Sequence, residues 1–556
     1  MTRDPNSFFK ASTLSRRGFL LSSAAAAATL VGCGGGDDDS VVSTSSGSFQ
    51  GQTSEGVTSY LGIPYAQPPV GALRFRAPQP YQPRSDVVKA SSFGAASIQN
   101  LGGGVRWIYP PQDNQGEDCL SLNVWAPQGA SKLPVVVWLH GGGFRTGATS
   151  MPFMNGQHLA ARGVVMVTAN YRLGAMGLIS HPDLTDPGNG TSANWQLQDM
   201  GAALAWVKQN IAAFGGDPDN VCLMGQSGGA KHAAILAQNP AYRSLFHKAV
   251  LLSPPSVQLP VAMTMQDAAA YTELLAARLG TTVRGLRDVP ALALHNAEVA
   301  LNALPLPASI TTGKGFKLAP LIDGKTYLAD WTRGAWPADK PVIITYTLDE
   351  GAFFLDLYDP VSKTMLTPPL PATTAALTGA VLSQVGGSAT AATSVINAYT
   401  QAAQQEGRST APGDLWVDIF GDRLLRNYGT RYAATIASAG AQVRYGTFME
   451  PVPAPGRGVP HCAELPLVFG TYALDYYKDK LGTNEVQGKL FNEMASALTS
   501  FARNSDAKFA SGQAWPVYKP GTATSARIGE GGSSGVTLGP IPKLAQMAAW
   551  DGVLGY

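Results

Sequence analysis

The sequence predicts one large α/β domain with a mostly parallel central sheet and helices on both faces. Short apolar, β-branched runs alternate with stretches of helical periodicity along the chain. Of 556 residues, 45% are hydrophobic and only 14% charged, ample to fill a large core. Length alone would allow several domains, but no repeat and no internal Gly/Ser-rich or charged linker marks a boundary. The net charge of +2, without a Lys/Arg run or basic stripe, gives no reason to expect a nucleic-acid partner.

The first segment reads as a targeting leader. Arg3, Lys10, Arg16 and Arg17 precede an apolar run from Phe19 to Val31, followed by Gly32 and Cys33. Ser15-Arg16-Arg17-Gly18-Phe19-Leu20 has the pattern of a twin-arginine export signal. Leu30-Val31-Gly32-Cys33 has that of a bacterial lipobox, with Cys33 as the lipidated residue. An uncleaved transmembrane helix is disfavoured, because the run of about 13–15 residues falls short of the ~20 needed to span a bilayer. The expectation is an exported, lipid-anchored protein with a leader over 1–33. Gly at position 34 favours the outer membrane or cell surface over the inner membrane. Residues 34–48, rich in Gly, Asp and Ser, read as a flexible tether, and 49–556 as the folded body.

In that body, Val135 to Leu139, Val164 to Thr168, Val221 to Met224, Ala249 to Leu252, Val342 to Thr345 and Val443 to Phe448 read as buried strands. A helix is expected from about Leu197 to Ala213, ended by the turn signal Phe214-Gly215-Gly216-Asp217-Pro218. Gln258 to Thr312 and Leu355 to Gly421 are helix-rich by composition and read as cap or lid excursions.

Gly225-Gln226-Ser227-Gly228-Gly229 matches G-x-S-x-G, and so does Gly531-Gly532-Ser533-Ser534-Gly535. Context separates them. A nucleophile elbow needs a strand running in and a helix running out, since that strained turn exposes the hydroxyl above the sheet. Ser227 has both, in Val221 to Met224 and Ala230 to Gln238, whereas Ser533 sits in a polar, Gly-rich loop. A serine nucleophile needs a base, and in the α/β-hydrolase fold the chain order is Ser, acid, His. Of seven histidines, only His461 lies beyond residue 295. The acid belongs between them at the end of a strand, where Asp349 and Glu350 follow Val342 to Thr345. Either could accept a hydrogen bond from the imidazole Nδ1–H and hold its tautomer, and the residues alone do not choose. Upstream, the apolar run Val135 to Leu139 delivers His140-Gly141-Gly142-Gly143-Phe144, a loop whose amides can approach a developing oxyanion together with the N–H of Gly228.

These features, with Leu61-Gly62-Ile63-Pro64-Tyr65-Ala66, Glu117-Asp118-Cys119-Leu120, Asn170-Tyr171-Arg172-Leu173-Gly174, Asp349-Glu350-Gly351 and His461 with Glu464-Leu465-Pro466, make the chain resemble the type-B carboxylesterases from about Ser48 onward. That family includes cholinesterases and bacterial para-nitrobenzyl esterases. The resemblance implies an α/β-hydrolase fold, ester hydrolysis without metal or organic cofactor, and Glu350 as the acid. It implies oxyanion donors at Gly142, Gly143 and Gly228, and a supporting hydroxyl at Ser253. It implies ion pairs Arg74–Glu117 and Arg172–Asp199, and pocket positions at Phe353 and Phe354. Trp107, Tyr109, Phe144, Phe353 and Phe354 suggest an apolar, aromatic-lined site for uncharged acyl or aryl esters, while the exported, lipid-tethered location suggests bulky or polymeric ones.

Two departures bear on chemistry. Gln226 stands before the nucleophile where the family usually has Glu, removing a negative charge that would attract cationic substrates. The family's partner cysteine for Cys119 corresponds to Ser97, so that disulfide is missing. A clamp between Cys462 and the position before the nucleophile is likewise unsupported. Beside Cys33, the odd number of Cys119, Cys222 and Cys462 already argues against a disulfide scaffold. Rival readings are an amidase or carbamate hydrolase on the same residues, and a non-catalytic adhesion protein, from which the intact Ser227, Glu350 and His461 distinguish this chain.

Overall fold

The computed structural model describes residues 40–99, 108–110, 112–255, 263–312, 317–332, 334–355, 358–359, 364–365, 369–453, 458–478, 480–481, 484–522 and 524–554. The leader, Cys33, Trp107 and residues 454–457 lie outside them. The chain divides into two units, 1–38 and 39–556, and the second holds the sheet.

Eleven strands form that sheet. In chain order they are β1 Gln52–Ser54, β2 Val57–Pro64, β3 Ser121–Pro127, β4 Leu133–Leu139, β5 Val165–Ala169, β6 Gly216–Gln226, β7 Lys248–Leu252, β8 Val342–Thr347, β9 Val443–Phe448, β10 Thr524–Ile528 and β11 Val536–Pro540. In space they run β1-β2-β3-β5-β4-β6-β7-β8-β9-β10-β11. The seven from β5 to β10 are mutually parallel. The edge pairs β1–β2, β2–β3, β3–β5 and β10–β11 are antiparallel.

The central strands are apolar on both faces because both faces are covered. Val135, Val137, Leu223, Leu251 and Ile344 point into one core, shared with helices α1 (Trp195–Asn210) and α2 (Gly228–Gln238). The alternate residues Val136, Trp138, Met224, Val250 and Ile343 point into another. There Leu490, Met494 and Phe501 of α3 (Asn484–Asn504) cover the opposite face. Both expected excursions are helical and carry satellite cores. Met265–Arg278 and Ala291–Asn302 pack around Tyr271 and Leu294. Thr374–Gln384, Ala389–Gln405 and Pro412–Gly421 pack around Val381, Val395 and Ile419.

Two sequence expectations need correction. The stretch 34–48 is not a tether throughout, and the folded body does not wait for residue 49. Val41–Thr44 pairs antiparallel with Gly47–Gln50, which pairs in turn with Val87–Lys89. The buried ring of Phe49 anchors this hairpin, and the Ser45 N–H and hydroxyl both donate to Asn210 Oδ1, at 3.0 and 2.7 Å. The turn expected over 214–218 is also shorter. Gly215 takes a left-handed φ of 78° and β6 begins at Gly216, pairing with Leu133.

Candidate active site

The groups in question stand at the carboxyl ends of adjacent parallel strands, where α/β sheets place their ligands. Ser227 follows β6, Glu350 follows β8, His461 follows β9, and the loop His140 to Phe144 follows β4.

Ser227 joins β6 directly to α2 with φ 52° and ψ −123°, a strained conformation for a residue with a side chain. Glycine makes the turn possible. A Cβ on Gly225 would lie 2.6 Å from the Gly229 carbonyl carbon, and one on Gly229 would strike the Leu139 carbonyl oxygen. The Ser227 N–H donates to Leu252 O at 2.8 Å, and the Lys231 N–H donates to Ser227 O at 3.0 Å, closing the first turn of α2. Ser533, the other motif match, lies exposed in the turn before β11.

His461 is buried, and its Nδ1 lies 2.5 Å from Glu350 Oε2. The other oxygen, Glu350 Oε1, accepts from Ser253 Oγ at 2.6 Å and from the Thr347 N–H at 2.8 Å. Geometry therefore separates the two carboxylates that the residues left open. Asp349 turns the other way: its Oδ2 accepts from the Val459 N–H at 2.9 Å, and its Oδ1 accepts from Lys543 Nζ at 2.7 Å. The imidazole is flanked by Phe353 and Phe354, with ring centroids 5.4 and 5.3 Å away.

Gly142 and Gly143 both have positive φ, 112° and 59°. A Cβ on Gly142 would run into the Thr146 carbonyl, so the loop can turn only with glycine there. Thr146 N–H donates to Gly142 O at 3.0 Å, and Phe144 O accepts from Gln196 Nε2 at 2.7 Å, holding the loop at both ends. Gly228 opens α2, where first-turn amides lack an intrahelical acceptor and carry the positive end of the helix dipole.

A cavity of about 400 Å3 brings these groups together. Ser227, His461, Gly142, Gly143, Gly228, Phe144, Phe353, Phe354 and Tyr109 all line it. Gln226, expected at the pocket, does not. Its side chain is fully buried, and its Nε2 donates to Cys462 Sγ at 3.0 Å and lies 3.1 Å from His461 Nε2. Strand alternation is the reason: Gln226 ends β6 pointing into the interior, and only the elbow after it reaches the cavity.

Sequence reading missed Lys231, Phe420, Leu424, Leu425 and Cys462 in this lining. Phe420, Leu424 and Leu425 come from a helical stretch about 190 residues after Ser227, which widens to a π-turn over Asp422–Arg426. Nothing in their spacing distinguishes them from core. Lys231 did carry a signal, since it lies one helical turn after Ser227. Near the imidazole, Glu464 is buried and its pKa is pushed up to about 8, by burial first and then by the Glu350 charge. Burial likewise pushes the Cys462 thiol well up.

The supporting framework matches expectation. Arg74 grips Glu117 through Nε at 2.6 Å and Nη2 at 2.5 Å. Arg172 grips Asp199 through Nε at 2.8 Å and Nη2 at 2.6 Å. Cys119 is a free, buried thiol pushed up to about 12, chiefly by burial, and Ser97 is its hydrogen-bond partner. Cys222 and Cys462 are also free.

Fold and site together define a hydrolase of the α/β type, with a serine elbow, a carboxylate-held histidine and a glycine loop around one cavity. The chain belongs to the carboxylesterase family, whose model matches residues 38–541. It is 32% identical to the phenmedipham hydrolase of Pseudarthrobacter oxydans over 507 residues, 88% of this chain and 95% of that protein. It is 33% identical to the para-nitrobenzyl esterase of Bacillus subtilis (strain 168) over 490 residues, covering 86% and 92%. The solved structure of a thermophilic PNB esterase superposes with a TM-score of 0.76 at 31% identity, covering 92% of this chain and 99% of that one. The protein is thus a carboxylic-ester hydrolase.

Proposed function

We propose that this enzyme cleaves esters through an acyl-enzyme on Ser227, with His461 as general base and acid and Glu350 holding the imidazole. The observation that carries this is the 2.5 Å contact between His461 Nδ1 and Glu350 Oε2, on a cavity that the strained elbow of Ser227 also lines. With its Nδ1 proton engaged, the imidazole presents Nε2 as the base. His461 takes the Ser227 hydroxyl proton as Oγ attacks the ester carbonyl. The amides of Gly142, Gly143 and Gly228 stabilise the oxyanion. Each such donor is worth about 10²–10³ in turnover. Collapse expels the alcohol, which receives the proton from His461. Water then gives a proton to the same nitrogen as its oxygen attacks the acyl carbon, and collapse breaks the bond to Ser227 Oγ, which takes that proton back as the acid leaves. None of these steps calls on a metal or organic cofactor.

The substrates we propose are bulky organic esters supplied from outside the cell, polyesters among them. Phe353, Phe354, Phe420, Leu424 and Leu425 give the cavity a mainly apolar lining suited to aryl and alkyl groups. The leader pattern and Cys33 support a location on the cell surface, attached by lipid, where insoluble esters would be met. A reading as amide or carbamate hydrolase is kept as a second arm, because one relative acts on phenmedipham.

The test uses chain lacking residues 1–33 and compares para-nitrophenyl butyrate, its matched anilide and dispersed polyester particles. Ser227→Ala is the blank and should lose about six orders of magnitude, as other serine hydrolases do. Ester hydrolysis surviving in the blank would refute the acyl-enzyme. Faster anilide turnover would favour the amidase reading, and silence on particles would remove the polymer.

A further inference from the structure

Among the described residues lining the cavity, Lys231 is the one that carries an ammonium or guanidinium. It is 2% exposed. Its neighbours along the helix, Ala230, His232, Ala233 and Ala234, are all buried as well. Among the described residues no carboxylate stands within ion-pair distance of its Nζ. Its contact is the Phe144 ring, with Nζ 5.3 Å from the centroid, and Asp330 acts on it only through a longer-range field. A buried ammonium without a counterion is costly, and burial draws its pKa down to about 8. An anionic group on a molecule entering the cavity would supply the missing charge.

Its position says what enters. Lys231 lies one turn of α2 beyond Ser227, a rise of ~6 Å along the axis. Phe144 is the last residue of the glycine loop, its ring carries the Lys231 ammonium, and a Cβ on Gly228 would come to 3.0 Å from that ring. The ammonium therefore stands on the oxyanion side of the cavity, close to where an acyl chain would extend.

We propose that Lys231 binds a carboxylate on the acyl part of the substrate, so that half-esters of dicarboxylic acids are preferred over their neutral counterparts. The ester carbonyl sits among the amides of Gly142, Gly143 and Gly228, and the free carboxylate pairs with Lys231 beside the Phe144 ring. This rests on the esterase reading above and narrows it. Of the aromatic lining expected from sequence, Tyr109, Phe144, Phe353 and Phe354 are in place, and Lys231 departs from it. Cleavage of a diester, or of a polyester chain, yields such half-esters.

The test compares full-length protein acting at pH 7 on monophenyl adipate and on its neutral primary-amide isostere, phenyl adipamate, with para-nitrophenyl butyrate as reference. The readout is the ratio of kcat/KM for the acid to that for the amide, so any general loss of activity in a variant cancels. The wild-type ratio should be about tenfold or more. It should fall to one or below in Lys231→Met and be partly kept in Lys231→Arg. A wild-type ratio at or below one overturns the proposal even if the variants do not fold. So does a ratio unchanged in folded Lys231→Met. Turnover of para-nitrophenyl butyrate alone, with both adipates inert, overturns it while leaving the esterase reading intact. Loss of all three overturns both.

Discussion

Glu464 is a buried acid whose ionisation the fold opposes, and replacing it should change how stability depends on pH. It lies three residues after His461 and is 3% exposed. Neither carboxyl oxygen finds a hydrogen-bond partner among the described side chains and backbone around it. Burial and the nearby Glu350 charge raise its pKa from 4.5 to about 8. A raised acid holds its proton more tightly in the folded state than in the unfolded one. Its contribution is therefore complete below about pH 4.5, declines as pH rises toward 8, and is lost above that. A displacement of that size corresponds to at most on the order of 5 kcal/mol. Glu464→Gln keeps the shape of the neutral acid and removes the titration. The assay is thermal unfolding of the two proteins at about pH 5 and pH 8.5. The melting temperature of the mutant minus that of the wild type should rise by several degrees between the two conditions. A difference that stays constant would refute the reasoning, showing that Glu464 finds water or a counter-charge in solution.

Other expectations follow from the same geometry. Glu350→Gln should cut turnover by about 10⁴ with little change in KM, since the acid holds and stabilises the imidazole. Asp349→Asn should keep most turnover but cost about 1–3 kcal/mol of stability, because it weakens the hold on buried Lys543. Kinetics and melting curves of the two variants check the assignment, and equal losses of turnover would contradict it. Gln226→Glu should raise the preference for a quaternary-ammonium ester over its uncharged isostere by about tenfold. It should also move the acid limb of the kcat/KM profile to higher pH, because a carboxylate beside His461 Nε2 favours imidazolium. Matched-substrate kinetics across pH would show both effects, and an unmoved ratio would mean that position 226 is screened from the cavity.

Most of the sheet and the outline of the site were legible in the chain because they rest on local physics. Strands covered on both faces read as unbroken apolar runs, and the six expected strands each lie within a named strand apart from a boundary residue or two. The elbow and the oxyanion loop were legible because tight turns demand glycine at set offsets. At Gly225, Gly229 and Gly142 a single added carbon would collide with backbone. What the sequence could not settle depends on partners far along the chain. Asp349 and Glu350 are adjacent and chemically alike, yet Lys543, 194 residues away, draws one aside while His461 takes the other. Ser45 looked like part of a tether, yet Asn210, 165 residues further on, accepts from it and holds the hairpin in place. Gln226 and Lys231 stand on either side of Ser227, and only folding decides that the amide turns inward while the ammonium faces the cavity. Periodicity and turn chemistry are written within a dozen residues. Pairing of charges and the walls of a cavity are set when distant segments meet, and there tertiary structure alone decides.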